Sequence, residues 1–157
     1  MALEFHNIEP VYDENSKILI LGSFPSVKSR ETGFFYGHPQ NRFWRVVAAV
    51  RNEAVPETIA EKKAFLLRNG IAVWDVIKSC DITGSGDSSI KNAVPNDISV
   101  ILKTAPIERI FCNGATSYKL YKRFLEPETG MTAVKLPSTS PANAAYSLDR
   151  LIDEWKI

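Results

Sequence analysis

GSFPSVKSRETGFFYGHPQNRFWRVV (22–47) is the stretch of sequence that decides the fold. It directly follows KILIL (17–21). Together with Gly22, the first residue of the stretch, this segment forms a continuous apolar run over 17–22. Such short runs are typical of strands that are buried on both faces of a parallel sheet. The end of the stretch has helical spacing over 41–51, where one face carries Phe43, Val47 and Val50. The stretch is therefore predicted to join a buried strand to a helix through a polar loop.

Three further segments have the same build as the first apolar run. They are GIAVWDV (70–76), IERIFCNG (107–114) and TAVKLP (132–137). Because helical patterns lie between them, the chain is predicted to be an α/β protein, a three-layer α/β/α sandwich with a central, mostly parallel sheet of about four strands. Neither a repeat nor a linker divides the sequence, so 1–157 is expected to form a single domain.

The helical patterns have start and end signals of their own. Pro56 predicts the start of one helix and Gly70 its end. Asn96 is expected to cap the next helix, and residues 115–125 have amphipathic spacing. The final helix is predicted to bury Ala144, Leu148, Leu151, Ile152 and Trp155. Residues 81–97 are predicted to be one long glycine- and serine-rich loop, either an ordinary surface loop or one that faces a substrate.

Composition limits the class of protein. The 157 residues carry a formal net charge of +1, so any nucleic-acid surface has to be a local basic patch. The first 17 residues lack the apolar core of a signal peptide, and no apolar run approaches the roughly 18 residues of a membrane span. Cys80 and Cys112 are far apart, which favours reduced thiols over a disulfide. We expect a cytoplasmic monomer that requires neither metal nor cofactor.

Polar segments follow every predicted strand. They are GSFPSVKS (22–29), DVIKSC (75–80), NGATS (113–117) and PSTSPAN (137–143). Because ligands bind beyond the carboxyl ends of parallel strands, these segments are expected to meet at one edge of the sheet. The pattern indicates a ligand site, although connecting loops are also polar for simpler reasons.

Residues 22–47 resemble the first motif and following loop of the mismatch-specific uracil-DNA glycosylases and of the hypoxanthine-DNA glycosylase family. Both belong to the uracil-DNA glycosylase superfamily and share a Gly-x-x-Pro turn and an aromatic-x-His-Pro-x-Asn-x-Phe-Trp stretch. PSTSP (137–141) resembles the superfamily's second motif, and WDVIKSC (74–80) lies where its base-recognition strand ends. The resemblance implies a repair enzyme that binds DNA and hydrolyses the N-glycosidic bond of a flipped, deaminated base.

The sequence departs from the common uracil enzymes at both of their usual catalytic positions. Phe24 stands where they keep an Asp or Asn, and Leu136 stands where they keep a His or Asn. The hypoxanthine-DNA glycosylases also lack the first of these residues and rely on a later asparagine, which corresponds to Asn41. Its amide is expected to hold the attacking water by accepting a hydrogen bond, and it is alternatively a helix N-cap. Hypoxanthine is therefore the expected substrate, with uracil second.

Three residues are expected to contact the flipped base. Tyr36 aligns with the aromatic residue that stacks on the base in the resembled enzymes, and Phe24 is expected to line the pocket or the core. Asp75 takes the place of a base-recognising asparagine, and its carboxylate can accept a ring N–H of hypoxanthine or uracil. A core tyrosine and a capping aspartate are the simpler interpretations.

Short hydroxyl side chains in two turns are candidates for DNA-phosphate or groove contacts. These residues, together with a histidine in the same loop, are Ser23, Ser26, His38, Ser138 and Ser140. Serines beside helix N-termini suit phosphates, and each of them is also an ordinary turn residue. A local basic patch is expected from Lys28, Arg30, Arg42 and Lys135.

Three alternatives remain open from the sequence. The loss of both usual catalytic residues motivates a nucleic-acid-binding module that does not cut the base. A mismatch-specific uracil/thymine-DNA glycosylase is a further alternative. An unrelated small-molecule α/β enzyme is less well supported, because the sequence has neither a P-loop nor a GxSxG elbow. No lysine stands at an obvious nucleophilic position, so a monofunctional enzyme without strand cleavage is expected.

Overall fold

The computed structural model describes residues 2–157. In chain order its strands are β1 (Ala2–Phe5), β2 (Ile18–Gly22), β3 (Ile71–Asp75), β4 (Ile77–Ile82), β5 (Lys91–Pro95), β6 (Arg109–Asn113) and β7 (Ala133–Leu136). Its helices are α1 (Val27–Thr32), α2 (Phe43–Val50), α3 (Ile59–Arg68), α4 (Ser99–Thr104), α5 (Ala115–Phe124), α6 (Glu126–Thr129) and α7 (Leu148–Glu154). A short 3₁₀ turn spans Asp87–Ser89.

The central sheet has four parallel strands in the order β3-β2-β6-β7. All four correspond to the apolar runs in the sequence, so the predicted sheet is confirmed. The register pairs Gly22 with Asp75 and Asn113 with Leu136. The carboxyl ends of the strands therefore lie at one edge, where their loops are brought together.

Both faces of this sheet are covered, which explains the continuous apolar runs. Along β2, Ile18 and Ile20 face one layer while Leu19 and Leu21 face the other. The first layer consists of α2, α3 and α7, which bury large side chains such as Phe43, Phe65 and Trp155. The second layer includes α4 and α5, with Ile101 and Tyr121 in its core. The predicted three-layer sandwich is confirmed.

A second sheet was not predicted. It is antiparallel, with the order β1-β4-β5, and Val76 alone separates its strand β4 from β3. The prediction of a loop over 81–97 is wrong, because β4 extends to Ile82 and β5 covers Lys91–Pro95, which leaves a loop only over 83–90. The side chains of β5 are mostly exposed, so its pairing with β4 has no apolar signature in the sequence.

Two predicted helix starts are wrong. Pro56 lies before α3, whose N-cap is Thr58, because the Thr58 hydroxyl accepts the N–H of Glu61 at 3.0 Å. The side chain of Asn96 caps no helix; it is buried and donates to the backbone carbonyls of Asp75 and Ile77.

The final helix is shorter than predicted. It starts at Leu148 after the N-cap Ser147, so Ala144 lies outside it and is exposed, whereas Leu151 and Trp155 are buried as predicted. Among residues 2–157, no helix is long and apolar enough to cross a membrane.

Candidate active site

The last residue of β6 and the loop after β7 are joined by a reciprocal pair of hydrogen bonds. The Thr139 N–H donates to Oδ1 of Asn113 at 3.0 Å, and Nδ2 of Asn113 donates to the Thr139 hydroxyl, also at 3.0 Å. Thr139 has no exposed surface. Because the backbone N–H can only donate, it fixes which way the Asn113 amide points.

Asn41 is joined to the same network. Its Oδ1 accepts the Thr139 hydroxyl at 2.9 Å and the backbone N–H of Phe43 at 2.9 Å. The N-cap of α2 is Arg42, so Asn41 lies one residue earlier and still satisfies the first N–H of the helix. Both lone pairs of Oδ1 are thus occupied, and the NH₂ group is the part of the amide left to meet a ligand. This arrangement favours a donor role for the Asn41 amide over the expected acceptor role, and the role of Asn41 in catalysis stays a prediction.

Arg42 holds the loop after β7 in place. Its backbone N–H donates to the Thr139 carbonyl at 3.0 Å. Its guanidinium donates to the carbonyls of Ser140, Asn143 and Tyr146. Since these bonds use its donors inside the protein, the assignment of Arg42 to a basic DNA-binding patch is wrong.

Tyr36 has an unusual environment. Its backbone has φ of 52°, which is uncommon for a residue other than glycine and is typical of functional sites. Its ring stacks on Phe43 with centroids 4.0 Å apart, so one face is covered by the core. The hydroxyl is buried beside the Asn113 amide and makes no well-formed hydrogen bond among the described residues. Burial, together with the charge of Asp75, raises the pKa of this phenol, so it stays a neutral donor.

Gly22 makes room for Asp75. A Cβ at Gly22 would lie 2.3 Å from Oδ1 of Asp75 and 3.2 Å from the Tyr36 hydroxyl. The first distance is shorter than any real contact, so the last residue of β2 has to be glycine for the carboxyl to keep this position. The geometry places Asp75 Oδ1 and the Tyr36 hydroxyl around the same point.

Asp75 has a partner that the sequence did not indicate. Its Oδ2 lies 2.8 Å from Nε2 of His6, and the two side chains are only 5% and 3% exposed. The imidazole is surrounded by the rings of Phe24, Phe35 and Trp74, each with its centroid between 6.1 and 6.2 Å away. Burial in this aromatic cluster gives Asp75 a fixed orientation.

The loop over 83–90 supplies a second carboxyl group. Asp87 is exposed as a residue, but its Oδ1 accepts the hydroxyl of the buried Ser23 at 2.9 Å. Desolvation and the charge of Asp75 raise the pKa of this carboxyl. The Ser23 hydroxyl donates to Asp87, and the carboxyl group of Asp87 occupies the place that a phosphate would need. The prediction of a phosphate contact at Ser23 therefore conflicts with the structure.

The other candidate phosphate contacts lie in turns. Ser26 is the N-cap of α1 and accepts the Ser29 N–H at 3.1 Å. Ser138 and Ser140 each accept the N–H two residues further on, at 3.1 Å, which leaves the hydroxyl hydrogens as donors. Nδ1 of His38 accepts the Gln40 N–H at 3.1 Å, so this ring orders its own turn. Phosphate contacts at these four residues stay a prediction.

The proposed basic patch is reduced to two lysines. Lys28 and Lys135 are exposed, with Lys28 3.9 Å from Glu31. Arg30 donates to the Gly84 carbonyl and pairs with Glu4, so it holds the 83–90 loop against α1. Its assignment to the DNA-binding patch is wrong for the same reason as that of Arg42.

The two apolar replacements are part of the core. Phe24 is 7% exposed and Leu136 is 4% exposed, so neither presents a polar group to the site.

Cys80 and Cys112 are free thiols, and burial raises the pKa of Cys112 to about 12. A thiolate nucleophile is therefore disfavoured.

Four residues of the site were not named from the sequence. Asn113 and Thr139 lie within the polar segments expected at the sheet edge, and Asp87 lies within the predicted loop, so their neighbourhoods were indicated. His6 has no such signal, because it precedes all the predicted strands.

Comparison with known proteins agrees with this architecture. The family model of the Uracil DNA glycosylase superfamily matches residues 9–156. The chain is 39% identical over 147 residues to a hypoxanthine DNA glycosylase of Methanosarcina acetivorans, covering 93% of this chain and 92% of the relative. It is 36% identical over 138 residues to a hypoxanthine DNA glycosylase of Methanosarcina barkeri, covering 85% of each.

A solved structure is similar over almost the whole chain. It is a solution NMR structure from Methanosarcina acetivorans that carries a provisional description as a uracil DNA glycosylase. It has a TM-score of 0.82 and 34% sequence identity, and the match covers 97% of this chain and 94% of that one. The fold, the motifs and these matches together show that the chain belongs to the uracil DNA glycosylase superfamily.

Proposed function

We propose that this chain is a monofunctional DNA glycosylase, formed by one domain, that hydrolyses the N-glycosidic bond of hypoxanthine flipped out of DNA. Two relatives at 39% and 36% identity are named hypoxanthine DNA glycosylases, which supports a deaminated purine as the first substrate. Uracil is a second candidate, and it rests on the superfamily alone.

The observation that carries the proposal is the orientation of Asn41. Two donors, the Phe43 N–H and the Thr139 hydroxyl, occupy its carbonyl oxygen. Thr139 is itself oriented by Asn113, so a chain of three side chains points the Asn41 NH₂ group as a prearranged donor. Prearranged donors stabilise developing charge without reorganisation during the reaction.

This donor suits a reaction in which the glycosidic bond breaks largely before water attacks. The sugar then becomes oxocarbenium-like and the departing base becomes anionic. An amide N–H stabilises the anionic base, or holds water by donating to its oxygen, and neither role requires a strong base. The apolar Phe24 and Leu136 are compatible with this chemistry, because the protein needs no carboxylate or imidazole at those two positions.

The base is held from two sides in this proposal. The face of Tyr36 away from Phe43 stacks on the flipped ring, and stacking on an aromatic side chain contributes about 1–3 kcal/mol per base. Asp75 accepts a ring N–H with Oδ1. The turns at Ser26, His38, Ser138 and Ser140, with Lys28 and Lys135 nearby, are the proposed contacts to the DNA backbone.

The test is a panel of labelled duplexes containing hypoxanthine, uracil, xanthine or a thymine mismatch. After incubation and alkali treatment, gel electrophoresis detects abasic sites. We expect release of hypoxanthine by the wild type and a loss of about 10²–10³-fold in Asn41→Ala. Asn15→Ala, an exposed asparagine in a turn before β2, is the matched control and should be fully active.

The same panel separates the alternatives. Binding to hypoxanthine duplexes without abasic sites would replace the enzyme with a nucleic-acid-binding module. Release of uracil or mismatched thymine but not hypoxanthine would indicate a mismatch-specific enzyme. Full activity of Asn41→Ala would remove Asn41 from the catalytic machinery.

A further inference from the structure

His6 and Asp75 form a hydrogen bond whose direction can be worked out. The backbone N–H of Ile8 donates to Nδ1 of His6 at 3.3 Å, so Nδ1 is an acceptor and carries no hydrogen. In the neutral ring the hydrogen is therefore on Nε2, and it is donated to Oδ2 of Asp75 at 2.8 Å. The histidine thus presents Asp75 with a donor, and Oδ2 has to be an acceptor.

The second carboxyl oxygen lies beside the carboxyl end of β2. Oδ1 of Asp75 lies against Gly22, close to the buried Tyr36 hydroxyl. With Oδ2 used by His6, Oδ1 is the oxygen that meets a flipped base. An ionised carboxyl group only accepts hydrogen bonds, so the base has to supply a donor.

We propose that Asp75 selects bases carrying a ring N–H and rejects adenine, and that His6 is the positioning residue that engages Oδ2 and thereby turns Oδ1 toward the base. This inference rests on the proposed function and adds the basis of base selection. Deamination of adenine to hypoxanthine places a hydrogen on N1, which in adenine is an acceptor. Facing Oδ1, hypoxanthine N1–H makes a hydrogen bond, whereas adenine N1 leaves two buried acceptors facing each other, which is strongly unfavourable.

His6 lies outside the part of the chain that the superfamily model matches, which begins at residue 9. It follows β1, whose residue Phe5 pairs with Ser79 of β4. Only Val76 separates β4 from Asp75, so the same pairing brings the donor and the carboxyl group together. The second sheet therefore has a function at the site.

The test measures binding, so that it does not depend on catalysis. The probes are duplexes that contain 2′-fluoro-2′-deoxyinosine or 2′-fluoro-2′-deoxyadenosine, both of which resist glycosidic cleavage. The quantity compared is the ratio of their affinities for each variant. In Asp75→Asn, His6 can donate only to the amide oxygen, so the amide NH₂ takes the place of Oδ1 and faces the base. We expect the ratio of hypoxanthine to adenine affinity to fall by at least about 10-fold.

Combining this change with His6→Leu gives the decisive comparison. Without the histidine the amide can rotate and present its oxygen to the base again. We expect the double variant His6→Leu/Asp75→Asn to recover a ratio at least about 3-fold higher than Asp75→Asn alone. A purely structural role for His6 would weaken both probes equally and leave the ratio unchanged. The proposal would be overturned if His6→Leu/Asp75→Asn and Asp75→Asn had the same ratio of hypoxanthine to adenine affinity.

Further variants make the result interpretable. His6→Gln retains an N–H near the position of Nε2, so His6→Gln/Asp75→Asn should have the same low ratio as Asp75→Asn. This pair decides the question if His6→Leu does not fold, since a recovered ratio in His6→Gln/Asp75→Asn would contradict the proposal. Phe5→Ala is the control on the adjoining strand β1, because Phe5 is 62% exposed, and it should leave the ratio as in the wild type.

Failure of this inference is distinguishable from failure of the proposed function. If the wild type releases hypoxanthine but the affinity ratio does not respond to His6, the glycosylase stands and the selection mechanism falls. If the wild type releases no base, the binding ratios still show whether His6 orients Asp75.

Discussion

The amide oxygen of Asn41 accepts the hydroxyl of Thr139 at 2.9 Å, although 98 residues separate the two in the sequence. This hydrogen bond joins the segment between α1 and α2 to the loop after β7. It also determines what Asn41 can do, because an oxygen that already has two donors cannot hold a third hydrogen. In the proposed enzyme the buried Thr139 therefore determines that the NH₂ group of Asn41, and not its oxygen, faces the substrate. Thr139 need not touch the substrate itself.

Thr139→Val tests this coupling while preserving side-chain shape. The valine leaves Nδ2 of Asn113 and one lone pair of Asn41 without partners, so we expect a loss of about 1–3 kcal/mol in the free energy of unfolding. Single-turnover release of hypoxanthine should fall about 10-fold, since Asn41 loses its fixed orientation. Thr139→Ser keeps the hydroxyl and should retain most of the rate. An unchanged rate in Thr139→Val would show that the coupling is not needed.

Asn41→Asp separates the donor role from the acceptor role. The carboxylate can still accept the Phe43 N–H and the Thr139 hydroxyl, but it replaces the NH₂ group with an acceptor. If the NH₂ group is the working part, Asn41→Asp should lose about as much single-turnover rate as Asn41→Ala, on the order of 10²–10³-fold. A variant as fast as the wild type would instead support a water-accepting oxygen.

Gly22→Ala should disturb Asp75. The added methyl group would meet Oδ1 at 2.3 Å, so we expect a loss of about 1–3 kcal/mol in stability measured by denaturant unfolding. Gly86→Ala is the matched control, because its added Cβ meets nothing closer than 3.5 Å and its φ is −77°. In an Asp75→Ala background the cost of Gly22→Ala should fall by more than half. If the cost is the same in both backgrounds, the contact with Asp75 is not its cause.

Asp87→Asn should change how stability depends on pH. Since the pKa of Asp87 is raised above its ordinary value of 3.8, the ionised carboxyl opposes folding at higher pH. This cost disappears as the pH falls through the raised pKa, because the folded protein then binds the proton. Asp87→Asn should therefore have the higher Tm at pH 7, and the difference should shrink on acidification. Asp153→Asn, exposed on α7, controls for net charge and should show no such trend.

Two substitutions divide the roles of Tyr36. Tyr36→Phe removes a buried hydroxyl that lies beside the Asn113 amide and makes no well-formed hydrogen bond within residues 2–157, so the free energy of unfolding should change by less than about 1 kcal/mol. Tyr36→Leu removes the aromatic face and should weaken binding of the 2′-fluoro-2′-deoxyinosine duplex by about 10-fold. Equal affinities for the two variants would argue against base stacking at Tyr36.

The central sheet could be predicted because burial on both faces is recorded directly in apolar runs such as Ile18–Gly22. The second sheet could not, since strands such as β5 are polar and exposed and owe their existence to pairing with β4. Asn41 could be singled out from its motif, but not the direction of its amide, which depends on a donor 98 residues away. His6 escaped prediction for the same reason, as its partner is 69 residues further along the chain.

The pairing of β1 with β4 also has a consequence for how the protein loses order. Its register joins Ala2 to Ile82, and two of the four β1 side chains, Leu3 and Phe5, are more than half exposed. Strands with little buried apolar surface detach at a lower free-energy cost than the core. Detachment of β1 would withdraw His6 from Asp75 while Asn41 and Thr139, held by the central sheet, stay in place. Mild heating should therefore reduce the preference for hypoxanthine over adenine before it abolishes base release.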